Sequence, residues 1–325
     1  MALVHREIEY YMVDSAQPKR VRAERLHDRV TGLNGSLIIN VELMQEPFPS
    51  PLFVGTGNYE VDDHGLYQPF ARRGKQLVIP GAGIKGAVRA HTEALSPSCE
   101  GGTCKDDSLC PCCQIFGTLG VRGKVSFCDA GPVNVERLVF AKPAILLRRG
   151  GRRDNGRRFY WHSNYLMWGP QANLEWERVE VVKPPATFTC ECFLRDMTEE
   201  EMGLLLLGMG MAPRREFRLK LGGGKNRGLG SVWFKLKDNL IRLIPEGCYG
   251  EYRSVAKDVS LTEWGNRNVE KYLANLPDRY RQTVDENIGH FGFVEKDITM
   301  ELIKQEFEEG RRRHMPLRRE SESSQ

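Results

Sequence analysis

Long apolar runs, a strong net charge and an apolar leader are all missing from this chain. No run of about eighteen apolar residues occurs, which excludes a membrane-spanning helix. The opening MALVHREIEYYMVD lacks the apolar core of a signal peptide, so we expect a cytoplasmic protein. The net charge of +4 is too small to predict a polyanionic partner, so local clusters of cations carry more information.

The chain is still large and apolar enough to fold around a substantial core, with 325 residues of which 40% are hydrophobic. This length allows one large domain or two smaller ones. Nine cysteines would suit a disulfide framework only in an oxidising compartment. In a reducing cytoplasm, clustered thiols are expected to hold a metal ion instead.

Five of the cysteines lie between residues 99 and 113. Four of them follow the spacing C-x4-C-x5-C-x2-C: Cys99, Cys104, Cys110 and Cys113. This spacing lets one compact loop surround a tetrahedral ion, and four thiolates complete its coordination shell. The pattern therefore predicts structural zinc, with Cys112 and His91 as alternative ligands for one of the four positions.

Two nucleotide-related enzyme signatures are absent. The glycine-rich stretch after residues 76–80 lacks the P-loop spacing, in which four residues separate the first glycine from Gly-Lys-Ser/Thr. His91-Thr-Glu93 followed by Pro111-Cys112 is similar to the start of a zinc deaminase signature, but that signature needs a cysteine where Ile115 stands. We therefore assign Glu93 no role in proton transfer.

One strand-turn-helix unit combines glycines with cations. Residues 76–80 are predicted to form a buried strand, Gly81-Ala82-Gly83 a turn and residues 84–95 a helix. Glycines permit close backbone approach, and the free amides at a helix start attract anions. Lys85 and Arg89 are four residues apart on one helix face. Together these features predict contact with a phosphate backbone.

Residues 142–168 combine arginines with aromatic rings. The arginines are Arg148, Arg149, Arg152, Arg153, Arg157 and Arg158. Five aromatic residues follow between Phe159 and Trp168. Cations for phosphates and flat rings for bases are typical of a surface for single-stranded nucleic acid. We predict an exposed hairpin arm between core strands, and the alternative is a solvated loop beside an aromatic core strand.

The loop GGGKNRGLG, residues 222–230, is a second candidate anion site. Its glycines flank Lys225 and Arg227, and predicted strands at 217–221 and 231–236 hold both ends. We predict backbone contact with a polyanion here, with a plain glycine turn as the alternative.

Other segments are predicted to be scaffold. Residues 35–44 and 186–195 are strands, and Thr198 with Glu201 forms a capping box that opens an apolar core helix. The polar loop 47–74 carries Asp62-Asp63-His64, which suits either a functional loop or an ordinary exposed turn.

Several motifs occur together and in a fixed order. They are Ile79-Pro-Gly-Ala-Gly-Ile-Lys-Gly-Ala-Val-Arg89, the Cys-x-x-Cys followed by Ile115-Phe-Gly117, the Phe127-Cys-Asp129-Ala turn and the glycine loop. As a set they resemble the RAMP superfamily, and within it the backbone subunits of type III CRISPR effector complexes. The resemblance covers residues 35–236.

The resemblance implies an α+β fold with a ferredoxin-like, RRM-type core at residues 35–236. A zinc loop at about 99–113 and a thumb hairpin at about 142–168 would be inserted in this core. Residues 1–34 form an N-terminal segment, and residues 237–325 form a helical C-terminal extension with a disordered tail.

The resemblance also implies that copies of the protein stack along CRISPR RNA, the guide, beside other effector subunits and further RAMP copies. Complementary target RNA pairs with this guide in antiviral defence. The predicted guide contacts are Gly81, Ala82, Gly83, Lys85, Arg89, Gly223, Gly224, Lys225 and Arg227, with Arg148, Arg149, Arg152 and Arg153 in the arm.

In cleaving relatives, an aspartate two residues before a proline supports metal-dependent cutting of target RNA by the ribose hydroxyl. Tyr67 occupies that position here, before Pro69. Asp63 or Asp62 would then act from a shifted loop with magnesium or manganese. Two alternatives stay open: a non-catalytic guide-holding subunit, and a stand-alone endoribonuclease that processes CRISPR RNA with His64 or His162 as general base.

Overall fold

The computed structural model describes residues 10–13, 18–22, 32–105, 108–135, 138–141, 157–163, 178–225, 228–244, 256–292 and 294–295. Its centre is a seven-stranded sheet in which each described pairing is antiparallel. The strands are β1 (Leu33–Leu43), β2 (Val125–Phe127), β3 (Gly131–Val135), β4 (Ala186–Met197), β5 (Leu219–Lys220), β6 (Ser231–Ile244) and β7 (Lys257–Ser260). Their order is β2-β4-β1-β6-β5, with β3 beside β4 and β7 beside β6.

The helices are α1 (Gly81–Ala94), α2 (Pro111–Phe116), α3 (Glu199–Gly208), α4 (Asn266–Ala274) and α5 (Asp278–Gly292). A π-helical turn, Leu261–Gly265, leads into α4. Along the chain, β1, α1, the β2/β3 edge, β4, α3 and β6 follow the order βαββαβ. This order and the antiparallel pairing are consistent with the predicted ferredoxin-like core.

Short strand pairs surround this core. They are Tyr10–Val13 with Arg157–Tyr160, Val21–Arg22 with Ser108–Leu109, Glu60–Asp62 with Gly65–Tyr67, Arg72–Arg73 with Gln76–Leu77, Gly117–Thr118 with Val121–Arg122, Leu138–Ala141 with Val179–Val182, and His162–Ser163 with Val294–Glu295. Most of the predicted arm at 142–168 lies outside the described residues.

The alternation of side chains in β1 shows why helices cover one face of the sheet. Leu37, Ile39 and Val41 are fully buried, whereas the intervening Ile38 is 41% exposed. β-branched and large apolar residues suit such a half-buried pleated surface. The predicted strand is thereby confirmed, one side facing the helices and the other open.

The predicted capping box at the start of α3 is present. The Thr198 hydroxyl accepts a hydrogen bond from the Glu201 amide at 3.1 Å, and the Glu201 carboxylate accepts one from the Thr198 amide at 2.8 Å. The two contacts satisfy amides that have no partner inside the helix. They allow the apolar segment that follows to enter the core as a helix.

The start of α1 differs from the prediction. The helix begins at Gly81 and includes the three residues predicted as a turn. The expected buried strand at residues 76–80 is reduced to Gln76–Leu77 and a single bridge from Ile79 to Ala130. The reason is that the Asp129 carboxylate accepts the Gly81 amide at 2.9 Å, a cap supplied by a distant turn. A Cβ on Gly81 would lie 2.1 Å from the Phe127 carbonyl oxygen, so glycine is needed for this close approach.

The C-terminal helices pack on the end of α1. The Tyr272 hydroxyl donates to the Leu95 carbonyl at 2.8 Å, and the Asn287 amide donates to the Ala94 carbonyl at 2.9 Å. β6 runs past the predicted domain limit at residue 236 to Ile244. The predicted helical extension beyond residue 295, including its tail, lies outside the described residues. None of the described helices is long and apolar enough to cross a bilayer.

Candidate functional site

The four predicted metal ligands converge in a buried cluster. The Sγ atoms of Cys99, Cys104, Cys110 and Cys113 all lie within 4.8 Å of one another. Cys99 Sγ is 3.5 Å from that of Cys113, 3.7 Å from that of Cys104 and 3.6 Å from that of Cys110. Zinc–sulfur bonds of about 2.3 Å in a tetrahedron place the sulfur atoms about 3.8 Å apart. The cluster therefore fits a tetrahedral ion such as zinc.

Backbone and thiol contacts further suit this cluster to a metal. The amides of Cys99 and Cys110 approach the sulfurs of Cys110 and Cys104 at 3.5 and 3.4 Å. Hydrogen bonding with the Cys113 thiol lowers the pKa of Cys110 to about 4 and raises that of Cys113.

The two alternative ligands lie elsewhere. Cys112 is fully buried, and its sulfur is 3.8 Å from the Arg89 carbonyl oxygen. Burial raises the pKa of Cys112 well above its usual value. His91 Nδ1 is 2.9 Å from the Ala87 carbonyl, and its ring packs among Phe159, Phe217 and Phe291. Neither side chain belongs to the cluster of four.

A cationic cavity of about 300 Å³ lies beside α1. Its walls come from α1, the strand Arg157–Tyr160, β5, the glycine loop and the end of α5. Five cations line it: Arg157, Arg158, Arg218, Lys220 and Lys225. Among the residues that the structure describes, its lining contains no aspartate or glutamate. A concentration of positive charge without carboxylates favours an anionic ligand.

Several of the cations in this cavity are buried and close enough to affect one another. Burial lowers the pKa of Lys220 to about 7, and the charge of Lys225 adds to this effect. Burial and the charge of Arg157 likewise lower the pKa of Lys225. The Nε atoms of Arg157 and Arg218 are buried and have no hydrogen-bond partner within the described part of the chain. An anion in the cavity would relieve this mutual repulsion.

The α1 wall of the cavity is made of small residues. Gly83, Gly86, Ala87 and Ala90 follow helical spacing along it. Apart from the chain neighbours and the backbone of α1 itself, no atom of the described residues lies within 4 Å of the position that a Cβ on Gly83 or Gly86 would occupy. A ligand can therefore approach the backbone of the helix closely on this side.

Other predicted RNA contacts have partners within the protein. Lys85 Nζ donates to the Val125 carbonyl at 3.1 Å, and the Gly223 amide donates to the Phe53 carbonyl at 2.8 Å. Ala82 is exposed in the first turn of α1, and Gly224 is half-buried with a φ of +65°.

Arg89 faces the cysteine loop. Its guanidinium donates to the Gly117 carbonyl at 2.9 Å, to Cys113 Sγ at 3.4 Å and to Glu93 at 2.8 Å. The predicted contacts Arg148, Arg149, Arg152, Arg153 and Arg227 lie outside the described residues.

The aspartate pair lies in the hairpin formed by Glu60–Asp62 and Gly65–Tyr67. Arg178 forms an ion pair with the Asp62 carboxylate, which also accepts the His64 amide at 2.9 Å. The hydrogen bond from Arg178 lowers the pKa of Asp62. Asp63 and His64 are exposed in the turn. Within the described residues, the four cysteines form the one cluster suited to a metal, and this cluster does not include Asp62 or Asp63.

His162 is buried, at 2% exposure. Its Nδ1 lies 2.9 Å from the Ser231 hydroxyl, and its Nε2 lies 3.2 and 3.0 Å from the carbonyls of Arg218 and Phe291. Burial lowers the pKa of His162 well below its usual value. These contacts make it a structural link between β6, β5 and α5.

Comparison with protein families shows which family this chain belongs to. Residues 48–233, more than half of the chain, match the profile of the RAMP superfamily. The chain belongs to the RAMP superfamily. Membership indicates a CRISPR-associated role in RNA binding, because RAMP proteins work with RNA in CRISPR complexes. A search of curated proteins gave no match.

The structure adds site residues that the sequence did not reveal. Arg218 and Lys220 alternate with apolar residues in a short segment that resembles an ordinary strand. Their charges therefore did not indicate a binding site. Arg157 and Arg158 were visible as part of a basic run, but their position opposite α1 was not.

Proposed function

We propose that this RAMP protein binds CRISPR RNA through its phosphate backbone, as a guide-holding backbone subunit of a type III effector complex in the cytoplasm. The supporting observation is the cavity whose described lining has five cations and no carboxylate. A single phosphodiester carries one negative charge, so five cations suit several consecutive phosphates better than one small anion. The half-buried Tyr160 at the cavity wall suits contact with a ribose or base.

Within this proposal, the main phosphate contacts are Arg157, Arg158, Arg218, Lys220 and Lys225. Gly83 would permit close backbone approach from the cavity wall. Ala82 and Gly224 would do so from positions next in sequence to the lining residues Gly83 and Lys225. Four other predicted contacts would support this surface without binding phosphates, because their polar groups already have partners. They are Gly81, Lys85, Arg89 and Gly223. The arginines of the arm and Arg227 would extend the path of the guide.

Salt-dependent binding tests this proposal. We would measure the affinity of the purified protein for labelled single-stranded RNA across a salt series, comparing wild type with Arg218→Ala and Lys225→Ala. Each loss of a phosphate contact should weaken binding roughly 10- to 100-fold, given about 1.5–3 kcal/mol for a hydrogen bond to a charged group. It should also reduce the salt slope by about 0.7.

The matched control is Lys257→Ala, which removes an exposed cation from β7, away from the cavity lining. Equal losses in the control and cavity variants would show that only net charge matters and would refute the assigned site. Co-purification of guide RNA and further RAMP copies with the wild-type chain tests the assignment to an effector complex.

The geometry favours a non-catalytic subunit over a cleaving one. Arg178 forms an ion pair with Asp62 and would compete with a metal there. Among the described contacts, only the exposed Asp63 of the two lacks such a cation and could hold magnesium or manganese. The test is the assembled complex with guide and labelled complementary RNA in either metal, comparing wild type with Asp62→Ala/Asp63→Ala. Target cutting that disappears only in the double variant would establish a guided ribonuclease and contradict the non-catalytic role.

A processing endoribonuclease is less well supported. His162 is buried with both ring nitrogens in hydrogen-bonding contact, so it has no access to a ribose hydroxyl. His64 is exposed and is the other candidate base. Cleavage of repeat RNA without target that is lost in His64→Ala would support this function instead.

A further inference from the structure

Glu93 connects the cysteine cluster with the cationic cavity. Its carboxylate is 5% exposed and forms ion pairs with two arginines, Arg89 at 2.8 Å and Arg157. The oxygen that accepts from Arg89 also accepts the Gly101 amide at 3.2 Å. Arg89 in turn donates to Cys113 Sγ at 3.4 Å. A continuous path of charge-assisted contacts therefore runs from a metal ligand to a wall of the cavity.

We infer that Glu93 is a positioning residue that fixes Arg157 for contact with RNA and makes this contact depend on the metal-bound state of the cysteine loop. The inference rests on the proposed role of the cavity in RNA binding. The backbone of Arg157 is held by its pairing with Val13, whereas the described carboxylate contact of its side chain is with Glu93. Without Glu93, the guanidinium would lose the carboxylate partner that it has among the described residues.

The cysteine loop supports this carboxylate from the other side. Gly101 and Gly102 lie between the ligands Cys99 and Cys104, and a Cβ on Gly102 would be 2.5 Å from the Arg89 guanidinium. The loop backbone thus packs directly on the arginine that orients Glu93. Structural metal sites hold such loops in place, and removing the ion releases them. Zinc loss should therefore free Arg89 and Glu93, and with them Arg157.

The sign of one substitution separates positioning from simple electrostatics. Glu93→Gln removes a negative charge near the cavity, and by charge alone it should strengthen the binding of a polyanion. If Glu93 positions Arg157, the same variant should bind single-stranded RNA more weakly, by roughly tenfold, the effect of losing one charge-assisted hydrogen bond. Equal or tighter binding by Glu93→Gln would overturn the inference.

A double-variant comparison tests whether Glu93 acts through Arg157. Arg157→Gln should weaken binding as much as Glu93→Gln, and the combined variant should lose no more than either alone. Fully additive losses would contradict the connection. Arg157→Gln leaves the pair of Arg89 and Glu93 intact, so it provides a test even if Glu93→Gln fails to fold.

The metal dependence is tested on the same proteins. Chelation of zinc from the full chain should weaken RNA binding by wild type and change little in Arg157→Gln; equal weakening of both would refute the dependence. Metal analysis should show that both variants retain zinc. If Arg218→Ala and Lys225→Ala weaken binding while Glu93→Gln does not, only this inference fails. If all these variants bind like wild type, the cavity is not the RNA site and the proposed function fails with it.

Discussion

Lys220 should make RNA binding depend on pH near neutrality. Its side chain is 6% exposed, and burial followed by the charge of Lys225 lowers its pKa to about 7. Its ammonium group donates to the Leu229 carbonyl at 3.1 Å, which holds it at the cavity wall. A bound phosphate favours the charged form, so binding should be accompanied by proton uptake wherever free Lys220 is neutral.

The magnitude follows from the fraction of free protein that carries the charge. With a pKa of about 7, Lys220 is roughly 90% charged at pH 6 and roughly 10% charged at pH 8. Affinity for RNA should therefore fall about tenfold between these pH values, by linkage to one proton. Phosphodiesters remain anionic throughout this range, so the change would belong to the protein.

Stability of the free protein should change in the opposite direction. A solvent-exposed lysine has a pKa of 10.5, so between pH 7 and about 10 the unfolded chain binds more protons at this position than the folded one. The free energy of unfolding should rise with pH in this window, by at most about 1.4 kcal/mol per unit. Weaker binding at high pH would thus not reflect loss of fold.

Fluorescence anisotropy with a labelled single-stranded RNA, repeated from pH 6 to pH 8.5, would measure this effect. Lys220→Met keeps the length and burial of the side chain but cannot be charged. We expect it to bind more weakly than wild type at pH 6, to match it near pH 8.5 and to lose most of the pH slope. The same slope in both proteins would refute the assignment of the proton to Lys220.

Two further predictions concern the metal loop and α1. Cys110→Ser should release zinc and unfold the loop. Cys112→Ala should keep one zinc per chain in metal analysis, because the Cys112 sulfur contacts a backbone carbonyl instead of the metal site. Zinc loss in Cys112→Ala would show that Cys112 is a metal ligand. Gly81→Ala should lower the free energy of unfolding by about 1–3 kcal/mol, because its Cβ would collide with the Phe127 carbonyl. Gly86→Ala, with open space around it, should be neutral or stabilise the helix by up to about 1 kcal/mol. Equal effects of the two alanines in denaturant unfolding would contradict this account of their surroundings.

The features that could be predicted from the sequence are those whose partners are close along the chain. The four clustered cysteines lie within fifteen residues, so their spacing alone restricts them to one loop. The capping box joins Thr198 to Glu201 within one helical turn, and the alternation in β1 directly records which face is buried. Local geometry determines each of these features.

The features that escaped prediction depend on contacts between distant segments. The four-residue spacing of Lys85 and Arg89 indicated a shared helix face, but not that this face turns inward toward the cysteine loop and Val125. The cap on α1 comes from Asp129, which is 48 positions away from Gly81. Lys220 becomes a buried cation only because α1 and the glycine loop enclose its strand. No local pattern encodes such enclosure.

Both ends of α1 are held by side chains from remote parts of the chain, Asp129 at the start and Tyr272 and Asn287 at the end. A shortened protein that stopped at residue 233, where the family match ends, would terminate inside β6 and strip two carbonyls of their donors. The segment that matches the family profile is therefore shorter than the segment whose side chains hold α1. The C-terminal helices complete the same fold that carries the walls of the cationic cavity, and cutting them away should loosen α1 before it affects any distant partner.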